Sequence, residues 1–159
     1  MENNQDYARR SMKATIAVIV VVLCIIVGFA VVLFLLRPQS LEAVITDTLK
    51  ESNWTVTDIE KMEDGKDPEL VPVDDVGVEK KFHQLFGETI IKYVKDEIGI
   101  SFESPLYTVH IAGKENSMTV SFDEKGQVHF NLTEKTYEIA QGDPYTFIKT
   151  QFESKAKAD

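Results

Sequence analysis

The sequence predicts an α+β protein in two parts: a single N-terminal transmembrane helix, then a small domain with a long helix packed on an antiparallel sheet. Three observations lead there. Residues 14–36 form a run of 23 without a charged, Asn, Gln, His or Pro side chain. Apolar residues then recur at spacings of three and four between 78 and 98, the period of an amphipathic helix. Beyond them lie three short alternating segments separated by turn residues. The expected organisation is a cytoplasmic tail over 1–13, a span over 14–36 and an extracytoplasmic α+β domain over 37–159.

A helix of 23 residues is about 35 Å long at about 1.5 Å per residue, enough to cross a hydrocarbon core of about 30 Å with modest tilt. In lipid a lone segment satisfies its amides only as a helix, so the β-branched content of the run is no obstacle. The alternative, a cleaved signal peptide, has a shorter apolar region, of about 7–15 residues, closing on a small-x-small site. Here the run closes on Phe34-Leu35-Leu36-Arg37-Pro38, and the sequence favours an uncleaved anchor. Cys24 is the one cysteine and lies mid-span after Leu23, unlike a lipoprotein signal; it also leaves no intrachain disulfide or cysteine-based zinc site. Arg9, Arg10 and Lys13 precede the run and only Arg37 follows it closely. The positive-inside tendency therefore predicts a cytoplasmic N-terminus, with the tail as a topology signal too short to fold. Gly28 and Ala30 make no small-xxx-small pair, so the span reads as an anchor.

Of the net charge of −9, residues 37–159 carry 14 Lys or Arg against 24 Asp or Glu. An acidic domain is a poor match for nucleic acid or anionic lipid. Ser40 is the expected N-cap of a first helix whose face is Leu41, Val44, Ile45 and Leu49. Trp54, Val56 and Ile59 suggest a short strand. The acidic stretch 60–79, with its prolines and glycines, reads as a loop holding an extended piece at 70–73. The long helix presents Val78, Phe82, Leu85, Phe86, Ile90, Tyr93, Val94 and Ile98, with Gly99 as its stop.

Segments 106–112, 118–122 and 127–132 should form the sheet. A three-residue hairpin loop Glu124-Lys125-Gly126 needs a left-handed position, which Gly126 supplies. It sets Phe122 opposite Val128, Val120 opposite Phe130 and Met118 opposite Leu132. A slip of one residue would place these beside Gln127, His129 and Asn131, so burial of one face selects the first register. Ile111, Val109 and Tyr107 join that face. Residues 134–141 read as a fourth strand through Tyr137 and Ile139 or as a helical turn. Asp143-Pro144 signals a terminal helix with Tyr145, Ile148 and Phe152 on one face, and a Lys-rich end over 155–159 that should fray.

No convergent chemistry is legible. His110 and His129 fall on the polar side of second-neighbour strands, roughly 9–10 Å apart before any offset. His83 has only Glu79 at a helical ligand spacing. There is no Gly-x-Ser-x-Gly elbow, Ser-x-x-Lys pair or Gly-rich phosphate loop. Asp64-Gly65-Lys66-Asp67 and Asp74-Asp75 lack the spacing of a calcium loop and read as a solvated acidic segment. The sequons Asn53-Trp54-Thr55 and Asn131-Leu132-Thr133 are expected by chance. No catalytic residue, metal or cofactor is expected.

In outline, a long helix against an antiparallel sheet is similar to cystatin-like and NTF2-like α+β rolls, which host many functions. A cystatin-type inhibitor would carry a Gln-x-Val-x-Gly hairpin; Gln127-Val128-His129 departs from it, so that activity is not implied. The expected function is a membrane-anchored, non-catalytic interaction domain: an accessory or scaffold subunit of a cell-envelope complex of the secretion, conjugation or division type. Its partners would be the bilayer through residues 14–36 and a membrane or envelope protein, with Asp64, Asp67, Asp74 and Asp75 or the sheet's polar face as contact surface. The alternative is a small-ligand binder whose apolar pocket, between helix and sheet, is lined by Phe82, Phe86, Tyr93, Tyr107 and Phe122. Those aromatics serve equally as the core that a 123-residue domain needs.

Overall fold

The computed structural model describes residues 2–35, 37–94, 102–133 and 135–157. The chain divides into two compact units, residues 1–37 and 38–159. In the first, α1 (Glu2–Leu35) is a continuous helix, of which Thr15–Val32 is apolar and long enough to cross a membrane. The tail expected to be too short to fold is helical because it extends a helix already nucleated by the apolar run; adding one residue costs far less than starting a new turn.

Among its described residues the second unit is mixed α and β, with one eight-stranded antiparallel sheet and three helices. Its elements are β1 (Gln39–Ser40), α2 (Leu41–Leu49), β2 (Thr55–Met62), β3 (Glu69–Pro72), α3 (Val76–Glu88), β4 (Ile90–Tyr93), β5 (Leu106–Ala112), β6 (Ser117–Phe122), β7 (Gln127–Phe130), β8 (Lys135–Gln141) and α4 (Pro144–Ala156). The strands lie in the order β1-β4-β8-β7-β6-β5-β2-β3. The helices contribute Leu41, Ile45, Phe82, Phe86, Ile148 and Phe152 to one hydrophobic core, which also takes Val109, Val120, Phe122, Val128 and Phe130 from the sheet.

The register of the central hairpins follows from one-sided burial. Phe122 faces Val128 and Val120 faces Phe130, while Tyr107, Val109 and Ile111 face Phe122, Val120 and Met118. Gly126 takes the left-handed turn position at φ +82°. Leu132 departs from expectation: β7 ends at Phe130, and Leu132 is exposed in the following turn. Asn131 closes the ladder there, its side-chain Oδ1 accepting from the Thr119 amide at 2.8 Å.

Residues 135–141 settle as a strand, β8, with Tyr137 buried. Three helix starts follow from their caps. Ser40 Oγ accepts from Ala43 N at 3.2 Å, Asp75 Oδ1 accepts from Gly77 N and Val78 N, and Asp143 Oδ1 accepts from Thr146 N at 3.0 Å. α4 buries Tyr145, Ile148 and Phe152 as its spacing predicts. Its end does not fray at Lys155, which donates to the Pro72 carbonyl and to Asp74.

Two further expectations are corrected. The long helix 78–98 is a 13-residue helix, α3, followed by a strand. Thr89 ends it, its amide and hydroxyl both donating to the Leu85 carbonyl, and β-branched Ile90-Ile91 then enter the sheet between β1 and β8. Residues 95–101, with Ile98 and Gly99, lie outside the described residues. The acidic stretch 60–79 is mostly a hairpin: β2 runs to Met62 and β3 pairs with it from Lys61↔Glu69 to Asp58↔Pro72. Prolines are tolerated because β3 is an edge strand, and Val71 turns into the core. A bulge at Thr57 explains how Val56 and Ile59, three apart, both face inward.

Candidate functional site

The core takes one face of the sheet. The other presents polar side chains, and no helix among the described residues supplies it with apolar partners. Antiparallel pairing lines these side chains up across five strands: Glu60 opposite Thr108, Thr108 opposite Ser121, Ser121 opposite His129 and His129 opposite Thr136. Within the row, the Thr108 and Ser121 hydroxyls are 2.9 Å apart and His129 Nδ1 lies 3.3 Å from the Thr136 hydroxyl. The Phe102 ring sits 5.6 Å from the His129 ring, centroid to centroid. His110, directly opposite both Asp58 and Thr119, places Nε2 3.1 Å from Glu60 Oε2. Thr108 and Thr136 are buried within the row, so what the face offers at fixed spacings is the half-buried Glu60, His110, Ser121 and His129. Such a surface can exchange hydrogen bonds with a partner.

His110 and His129 lie on β5 and β7 with β6 between them. Among the described residues no group of three His, Cys, Asp or Glu could hold a metal ion. The Glu60 contact of His110 was invisible to local spacing because 50 residues separate the two. His83 has partners of the same distant kind, Glu42 and the Trp54 carbonyl.

The four aspartates are not one cluster. Asp64 and Asp67 are exposed in the β2–β3 turn, where the Asp64 amide donates to Ser104 Oγ at 3.1 Å. Asp74 is held by Lys155, whose hydrogen bond keeps its carboxyl below the usual range. Asp75 caps α3. At the same turn Glu63 accepts from Lys61 at 2.8 Å and Lys66 at 2.7 Å, and these bonds bring its pKa down to about 2. Glu51 accepts from the amides of Lys114 (2.5 Å) and Glu115 (3.0 Å), which lowers its pKa and pins the β5–β6 loop.

The five aromatics divide among three places. Phe82, Phe86 and Phe122 form a chain of ring contacts at 5.5 and 5.9 Å, all fully buried. Tyr107, equally buried, packs on Tyr145 and Phe152 from α4. Tyr93 packs on Tyr137 near the sheet edge. None of the five lines the groove of about 580 Å³ between the β6–β7 loop and α4, bordered by Glu124, Lys125, Lys149 and Glu153. A hollow between β3, α3 and α4 has about 10 Å³, room for roughly one water. Tyr145, beside the groove, has its phenol pushed up to about 12 by burial and then by Glu124.

Comparison with protein-family models, with curated proteins and with solved structures returns no match.

Proposed function

We propose that the protein is a membrane-anchored, non-catalytic interaction subunit of a cell-envelope assembly. In this reading α1 is retained as a single-pass anchor, the N-terminus is cytoplasmic, and the α+β domain stands outside the membrane. The observation that carries it is the pairing of an apolar helix, every described side chain of which over Thr15–Val32 is exposed, with a domain whose sheet keeps one organised polar face. Leaving 18 apolar residues in water would be unfavourable by roughly 1.5–3 kcal/mol per large side chain, and lipid removes that cost. The polar face and the exposed Asp64 and Asp67 of the adjoining turn are the surfaces offered to the partner, a membrane or envelope protein. Asp74 and Asp75 pair with Lys155 and cap α3, yet both are exposed, so they stay part of that surface. The resemblance to cystatin-like and NTF2-like rolls stays one of outline, helices against one face of an antiparallel sheet, and lends the proposal no activity.

The test is a crosslinking pull-down of the full-length protein from its native membrane, beside a chain lacking residues 1–36. A stoichiometric envelope protein captured by the full chain, and lost on substituting Ser121 and His129 with Lys, supports the proposal. No stoichiometric partner in either capture overturns it.

A further inference from the structure

The joint between α2, α3 and the segment entering β2 is built around one imidazole. His83 Nδ1 lies 3.4 Å from Glu42 Oε1 on α2, and Nε2 lies 3.1 Å from the Trp54 carbonyl oxygen. The imidazole plane stacks on the Trp54 indole, centroids 3.8 Å apart and planes 27° from parallel. A neutral imidazole has one donor and one acceptor nitrogen, so it satisfies only one of two facing oxygens. The imidazolium donates to both and places a cation over the indole face, where the ring quadrupole attracts it. Gly87, one turn along α3, makes room for the carboxylate: a Cβ there would come within 2.9 Å of Glu42 Oε2.

We propose that His83 is a proton-operated latch: protonated, it clamps α2, α3 and Trp54 together, and on losing the proton it releases one of its two hydrogen bonds and the cation–indole contact. The His83 side chain is 31% exposed, so protons reach it without any opening of the fold, whereas Trp54 behind it is 2% exposed. Among the described residues Glu42, from α2, is the ionisable side chain in contact with the ring. The segment entering β2 presents the Trp54 carbonyl and indole, and its Glu51 is turned to the amides of Lys114 and Glu115. On α3 itself Glu79 lies one turn before His83. Gain and loss of that proton would make the order of the helical layer respond to pH.

Trp54 is the single tryptophan, so its emission reads the joint alone. The experiment follows Trp54 emission of the full-length protein in detergent micelles from pH 5 to 8, with urea unfolding midpoints at both ends. The wild type should show a step, dimmer on the acid side where a stacked imidazolium quenches the indole, and a higher midpoint there. In His83→Gln the step should vanish and the midpoint should lose that part of its pH dependence; His110→Gln and His129→Gln should keep both. A flat wild-type profile, or an equal step in His83→Gln, overturns the latch. Should His83→Gln not fold, Glu42→Gln and Gly87→Ala decide it: each removes or displaces the carboxylate that the imidazolium holds and should shrink the step. A step of wild-type size in both variants overturns the proposal.

Discussion

Substituting Phe122 with alanine separates the two roles open to the buried aromatics. Phe122 is 0% exposed, faces Tyr107 on β5 and Val128 on β7, and stacks on Phe86 from α3. Truncating a fully packed phenylalanine removes its transfer free energy and leaves a cavity that neighbours only partly fill, together about 3–5 kcal/mol. A domain of this size has a total stability of about 5–15 kcal/mol, so the loss is a large share of it. With a urea m-value of about 2 kcal/mol per M, the unfolding midpoint should fall by roughly 1.5–2.5 M. The assay is urea unfolding of the full-length protein in micelles, followed by emission of Trp54, which is linked to Phe122 through Phe86, so each variant is fitted with its own native baseline. Phe122→Leu should lose far less, under about 1.5 kcal/mol, by keeping most of the volume. A drop below about 1 kcal/mol for Phe122→Ala would mean that the face is not packed, and would reopen the aromatics as the lining of a ligand pocket.

Gly126 and Gly142 both have positive φ, +82° and +98°, but differ in surroundings. A Cβ at Gly126 meets only Ile139 at 3.7 Å, whereas at Gly142 it would lie 2.9 Å from Thr89 Oγ1 and 3.2 Å from Thr89 Cα. Gly126→Ala should therefore cost about 1–2 kcal/mol of backbone strain, and Gly142→Ala clearly more, by the same unfolding assay. Glu51 has its pKa lowered chiefly by the Lys114 amide, so the stability it contributes is complete above its ordinary value of 4.5 and is lost as pH falls through the folded value. Glu51→Gln should flatten the acid limb of the stability–pH curve; an unchanged limb would show that the loop contact is not formed. For Glu63, a carboxyl carbon chemical shift titrating near pH 2 is expected, moving back toward 4.5 in a Lys61→Ala, Lys66→Ala double variant. The same titration in wild type and double variant would contradict the paired turn.

Much of the sheet was legible because burial of one face admits only one register. Phe122, Val120 and Tyr107 alternate with Ser121 and Thr108, and one slip would have reversed every side chain. The starts of α2 and α4 were legible because Ser40 and Asp143 cap locally. Where α3 ends was not. Phe86, Ile90 and Tyr93 continue a helical spacing, and what turns the chain at Thr89 is the availability of β1 and β8 as strand partners, one of them about 45 residues later in sequence. The β2–β3 hairpin was hidden by Pro68, in the turn before β3, and by Pro72, which excludes a central strand but suits an edge. The contacts of His83 with Glu42 and Trp54 join residues 41 and 29 apart, and no local pattern announces them. The polar face was foreseen as a side of the sheet; its cross-strand row, with Thr136 on β8, depended on a segment that also read as a helical turn.

The proposed topology is an anchored chain with its folded domain outside the cell. Cysteine labelling tests it most directly. In a Cys24→Ser background, single cysteines are placed at Asn4 and Lys157, and intact cells are treated with a membrane-impermeant maleimide. The account predicts labelling at position 157 but not at position 4 until the cells are opened, with the protein staying in the membrane after alkaline carbonate extraction. Labelling at position 4 alone, or release of the domain into the soluble fraction, would contradict it.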